Sequence, residues 1–158
     1  MATEAPSPVQ RTLLVERAAD LARGHFLQEG FNCAESTLYG VTAAFGLTPA
    51  EDLIRAATPF GGGMGKAGCA CGALSGAIMS LGLVHGRTSA DDARKQHAYA
   101  RAQRLWRRFV EQAGAEDCRD LNTPGFDDPG HKAHCARFVA IAAALAAEEL
   151  LQDEATGG

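Results

Sequence analysis

A chain of 158 residues, 46% hydrophobic and 22% charged, has apolar side chains for one sizeable core and charge to keep its surface hydrated; a disordered or fibrous protein is excluded. With 15 basic against 19 acidic residues the formal net charge is −4, so the molecule as a whole is no electrostatic match for nucleic acid or an anionic membrane.

Residues 1–8 read as a flexible tail because MATEAPSP is made of small, Pro-bearing residues, and the stretch lacks the basic and apolar regions of a secretory signal. The expected location is the cytoplasm, where stable disulfides are uncommon. From Val9 to Gly30, Leu13, Leu14, Ala18, Leu21, Ala22 and Phe26 recur at steps of three and four, the period of an amphipathic helix. Asn32-Cys33-Ala34-Glu35 is a capping box, predicting a second helix from Cys33 to about Gly46. Thr48-Pro49-Ala50-Glu51 predicts a short third helix capped by Thr48 and ended by Pro59. A fourth is expected from about Gly68 to Val84, and a fifth, capped at Ser89, to about Ala113. An irregular stretch through Asn122, Pro124, Gly125, Pro129 and Gly130 leads to an alanine-rich last helix, Lys132 to Leu151. No window alternates over strand length, so the expected fold is all-α: one antiparallel bundle of about six helices over residues 9–152, with 153–158 a second flexible tail.

The uncharged run Ala67–Val84 is interrupted by glycine, cysteine and serine and lacks flanking anchors, so it reads as a buried helix and not as a membrane span. The glycines before it fail as a phosphate loop, since Phe60 and Ala67 stand where Gly and Ser or Thr are required. Gly63-x-Gly65-x-x-Gly68 spells the dinucleotide pattern but follows a helix, not a strand, and no nucleotide site is inferred from it. Gly68, Gly72, Gly76 and Ser80 fall four apart and predict a ridge of small residues that another helix can approach closely.

The five cysteines are Cys33, Cys69, Cys71, Cys118 and Cys135, an odd number that argues against a simple disulfide framework. Cys33, Cys71 and Cys135 fall near predicted helix N-termini, where the dipole favours thiolate. Cys118 falls on a polar connection beside acidic neighbours that oppose ionisation. Spacing alone leaves a metal centre, thiol chemistry and plain buried cysteine all open, because no C-x-x-C pair is present.

The segments Phe31-Asn32-Cys33-Ala34-Glu35-Ser36, Phe60-Gly61-Gly62-Gly63-Met64-Gly65 and Cys71-Gly72-Ala73-Leu74-Ser75-Gly76, followed by separate Cys118 and Cys135, resemble the C-GCAxxG-C-C family of redox-active proteins over roughly Ala18–Leu151. A similar helical unit occurs in split-Soret cytochromes, where cysteines bind an iron–sulfur cluster of the two-iron type. The resemblance implies Cys33, Cys71, Cys118 and Cys135 as ligands of such a cluster, with Cys69 outside the pattern. Gly63, Gly65, Gly68 and Gly72 are then expected to bring backbone N–H groups against the centre. The chain lacks a C-x-x-C-H haem motif, so haem chemistry does not transfer.

The expected role is electron transfer or redox sensing with a protein partner, without nucleic acid or membrane insertion and with a homodimer open. Two alternatives stand beside it: a metal-free thiol–disulfide protein using Cys71 with Cys69 or another cysteine, and a helical adaptor stabilised by zinc. Arg94, His97, Arg101, Arg104 and Arg108 line one face of the fifth helix and read as a solvated basic stripe or a docking patch for an acidic redox partner. His131 and His134, beside Cys135, are expected to face solvent, and Lys66 reads as a surface charge.

Overall fold

The computed structural model describes residues 4–152; residues 1–3 and 153–158, and with them the whole C-terminal tail of the sequence reading, lie outside the described residues. The first helix, α1 (Pro8–Gln28), opens on a capping box between Ser7 and Gln10 with Pro8 in its first turn. α2 (Cys33–Ala44) starts where the Asn32–Glu35 capping box requires. α3 (Glu51–Ala57) leads through a 3₁₀ turn, Thr58–Phe60, into the short α4 (Gly61–Met64). α5 (Gly72–His85) and α6 (Asp92–Ala113) follow, then the four-residue α7 (Cys118–Leu121) and the long α8 (His131–Leu151). Among the described residues the single extended pairing is an isolated antiparallel bridge between Ala70 and Asp117.

Three starts differ from the sequence reading. The cap of α3 is Ala50, without a side-chain bond, in place of Thr48. The cap of α6 is Asp91 and not Ser89, its carboxylate accepting from the Arg94 N–H at 3.0 Å. α5 begins after Cys71, not at Gly68, because Gly68 has φ +77° and its carbonyl accepts from Arg119. Gly68 therefore leaves the predicted ridge, and Gly72, Gly76 and Ser80 remain on it.

α8 packs against α1, α2, α5 and α6, and α2 also packs against α1 and α5, so α2, α5 and α8 form the middle with α1 and α6 flanking. The core is small-residue packing around a few large side chains: Ala18, Ala22, Ala77, Ala142, Ala143 and Ala146 sit with Leu74, Leu81, Leu105, Phe109, Phe138 and Val139. A second cluster, Ala34, Leu38 and Ala57, with Phe60 and Met79 against it, seats α3 and the turn after it. At Gly76 an added Cβ would run into the Ala34 carbonyl, and at Gly72 it would run into the Cys33 sulfur, so the ridge lets α5 lie directly on the start of α2. The C-terminal end of α5 surfaces, with Leu83 and Val84 exposed, so the uncharged run is buried for most of its length and not all of it.

The basic stripe on α6 is not a free surface. Arg101 is 2% exposed and donates to the backbone carbonyl of Glu149, whose side chain is fully buried. Arg104 reaches the same carboxylate at 3.1 Å, and Arg108 pairs with Glu148. Arg94 donates to the Gly86 and Val84 carbonyls at the end of α5. The stripe is therefore a seam that holds α6 to α5 and α8, because guanidinium forks on one helix face meet carbonyls and carboxylates on its neighbours.

Candidate functional site

Four separate segments each carry one cysteine to the end of the bundle where α4 and α7 lie. Cys33 is the first residue of α2. Its cap residue is anchored as well, since Asn32 Nδ2 donates to the Thr58 carbonyl at 2.9 Å and Thr58 donates to Glu35 at 2.6 Å. Cys71 is the N-cap of α5, Cys118 is the first residue of α7, and Cys135 lies just inside α8. The segments of Cys71 and Cys118 are bonded to each other: Cys71 N–H donates to the Glu116 carbonyl at 2.8 Å, and Cys118 N–H to the Cys69 carbonyl at 2.7 Å. Arg119 N–H adds a bond of 3.1 Å to Gly68.

These four cysteines line one cavity of about 430 Å³. Cys69 does not line it; its sulfur stands 3.8 Å from the Arg119 guanidinium. All five cysteines are free thiols. Of the glycines expected to meet the centre, Gly65 and Gly72 line the cavity together with Gly61 and Gly62, whereas Gly63 and Gly68 do not. Gly63 is pressed against the chain it supports, for an added Cβ there would lie 2.6 Å from Cys118 Cβ. The N–H groups of Gly65 and Gly68 are already donated to the carbonyls of Gly61 and Gly62, which closes the loop on itself.

Aromatic rings of Phe26, Phe31, Phe126 and Phe138 form much of the remaining wall, and the charged or titratable side chains besides the thiols are Lys66, Lys132 and His131, with no carboxylate. Lys66 sits 5.4 Å over the Phe126 ring and holds φ at 67°, a conformation unfavourable for a side-chain-bearing residue. Lys132 lies 4.9 Å over Phe26 and donates to its carbonyl at 3.3 Å. His131 lines the wall and is half-buried, while the ring N–H of His134 donates to the Leu121 carbonyl at 2.7 Å. Asn122, the residue that ends α7, also lines the wall, buried and with both side-chain amide atoms lacking a hydrogen-bond partner among the described residues.

Burial is the dominant influence on the thiols and corrects the expectation that helix N-termini would ionise them. It pushes Cys71 up to about 12, with further upward pressure from Cys33 and Cys118. It raises Cys135 to about 11, again with Cys118 and Cys33 adding to the effect. Cys33 and Cys118 are raised as well, both chiefly by burial, and Cys118 additionally by Cys33 and Asp117. Backbone groups of Gly62, Ala34 and Ala73 directed at Cys33, and of Ala73 and Leu74 at Cys71, oppose this but do not overcome it. The thiols thus feel one another across the cavity, and each holds its proton at neutral pH. Among the described residues no three His, Cys, Asp or Glu side chains form a ready metal-binding group, although the four cysteines line one cavity.

Sequence reasoning missed the aromatic wall, Asn122, Lys132 and the inward backbone groups of Gly62, Ala73 and Leu74. Phe31 stood in plain view inside the Phe-Asn-Cys segment. Nothing local marked Asn122, which read as one more turn residue.

Fold and site together define an all-helical protein built around cysteines that separate helices carry to one cavity behind a glycine-rich turn. The family model described as "Putative redox-active protein (C_GCAxxG_C_C)" matches residues 31–149, and the chain belongs to that family. It is 33% identical over 108 residues to an "Uncharacterized protein" of Archaeoglobus fulgidus, covering 64% of this chain and 71% of that relative. No solved structure matches it. No helix among the described residues is long and apolar enough to cross a membrane.

Proposed function

We propose that the protein carries one iron–sulfur cluster of the two-iron, two-sulfide type on Cys33, Cys71, Cys118 and Cys135, and serves in electron transfer or redox sensing with a protein partner. The observation that carries this reading is the convergence of four thiols from four segments on one cavity whose wall holds two lysines and no carboxylate. A cluster of two ferric ions, two sulfides and four thiolates bears two negative charges, which suits that wall. Its polynuclear core also suits four cysteines that line one cavity better than a single zinc ion does. When bound, such a cluster takes up and releases one electron with little movement of its ligands.

The chain's own residues do the rest. Loading requires the four buried thiols to release their protons, so metal replaces the protons that burial holds there. The phenylalanine walls limit water at the sulfurs, and inward backbone groups at Cys33 and Cys71 offer dipoles to the ligating sulfurs. Metal-free thiol exchange through Cys71 is disfavoured, since a thiol held protonated to about 12 is a poor nucleophile; Cys69 does not share its cavity, although Cys33, Cys118 and Cys135 do.

The test is anaerobic purification followed by iron and sulfide analysis and visible spectroscopy. The expected protein is coloured, with about two iron and two sulfide per chain. Cys→Ser at position 33, 71, 118 or 135 is expected to bleach it, and Cys69→Ser to leave it coloured. Colourless protein holding zinc, or metal-free protein after reconstitution with iron and sulfide, sinks the proposal.

A further inference from the structure

We propose that Asn122 is a binding residue for the group held by the four thiols, its side-chain amide donating a hydrogen bond to a sulfur of that group and favouring the reduced form. This rests on the cluster reading above. Asn122 is 7% exposed, lines the cavity, and leaves Nδ2 and Oδ1 both without a partner among the described residues. Its backbone is fixed, because its N–H donates to the Cys118 carbonyl at 2.8 Å and its carbonyl accepts from Gly125 at 3.1 Å. The residue therefore stays at the wall, with its side chain buried.

An unpaired amide at a buried position is costly, and a leucine, branched at the same carbon and without polar atoms, would remove the cost. The neighbouring wall supplies no carboxylate to take the amide protons, and a protonated thiol is a weak acceptor. Thiolate and sulfide are acceptors that carry the negative charge of the cluster. Reduction adds one electron and breaks no bond to Asn122, so an N–H donor there stabilises the more negative state more. The buried Ser36 hydroxyl also lacks a partner among the described residues but does not line this cavity, which leaves Asn122 as the unpaired polar side chain at the site.

The experiment compares wild type, Asn122→Leu and Asn122→Ala, each reconstituted with iron and sulfide and titrated with dithionite through redox mediators. At a fixed potential, each variant is expected to hold about tenfold less reduced cluster relative to oxidised, a midpoint about 59 mV lower for one electron. The deuterium-sensitive part of the iron–sulfur stretching bands in resonance Raman spectra is expected to shrink. Metal-free Asn122→Leu is expected to melt above metal-free wild type, the opposite of a structural role. A variant that folds but fails to load also supports binding by Asn122. An unchanged midpoint and Raman shift in a loaded variant overturn the inference alone. Wild type that assembles no cluster overturns it together with the proposal on which it rests.

Discussion

The two ends of the bundle bury polar groups under opposite rules. In the seam of α6 with α8, Glu149 is fully buried and meets Arg104 at 3.1 Å, while Arg101 spans to the Glu149 backbone and to the Gln152 carbonyl at 3.4 Å. Each buried charge there has its partner within the chain. At the cysteine end four thiols keep their protons and an asparagine keeps an unpaired amide. Low dielectric makes unpaired polar groups expensive, so a fold that satisfies one region internally and leaves the other unsatisfied marks the second as the place where something external completes the pairing.

The comparison breaks most visibly by removing a partner from the seam. Glu149→Leu leaves Arg101 and Arg104 without their carboxylate, and urea unfolding is expected to show a loss of about 3–5 kcal/mol. Adding Arg101→Met to it is expected to recover much of that loss. A cost below about 1 kcal/mol for the single change would mean that the seam is solvated. The same operation, polar to apolar at a buried position, is thus expected to destabilise one end and stabilise the metal-free form of the other.

A smaller effect probes how the seat of the site is built. Gly76→Ala is expected to cost roughly 1–3 kcal/mol by overpacking against the Ala34 backbone, despite a gain of about 1 kcal/mol in helix propensity. A raised melting temperature would show that α5 and α2 do not touch along this ridge. A reversible perturbation is pH. Unfolded cysteines ionise near their ordinary value of 9.0, whereas folded Cys71 and Cys135 hold their protons to about 12 and about 11. The unfolded state therefore binds fewer protons as pH rises, and metal-free protein is expected to be at full stability below about pH 9 and to lose it progressively towards pH 11–12. Denaturant midpoints that stay level from pH 8 to 11 would contradict buried thiols; loaded protein, with no thiol protons left to lose, is expected to stay level.

The legible parts of this fold are the local ones. Asn32 and Glu35 announce α2 because a capping box lies within four residues, and the Gly72–Gly76 spacing announces a close helix contact because one turn separates them. The start of α5 was misread because Cys71 caps it with no side-chain bond, its position being fixed instead by pairing with Glu116, far along the chain. The arginine stripe illustrates the same limit. Periodicity placed Arg101 and Arg104 on one face, but only the tertiary fold puts Glu149 opposite them. At the site, the resemblance singled out the four cavity cysteines and left Cys69 aside, while Asn122 stayed invisible because burial without a partner is a property of packing and not of pattern.

The short backbone pairing between residues 68–71 and 116–119 also changes how many moving parts the cavity has. Two of its four sulfurs hang on one clamp, so the site is a three-jawed grip: the start of α2, the clamp, and the start of α8. The whole excursion through α5, its exposed turn at residues 87–90, and α6 leaves from one arm of that clamp and returns to the other. Residues gained or lost at the exposed turn alter the length of the excursion without altering where it is pinned, because closing a longer loop costs little once its ends are already fastened. The spacing between Cys71 and Cys118 is thereby free to drift while the distance between their sulfurs is not.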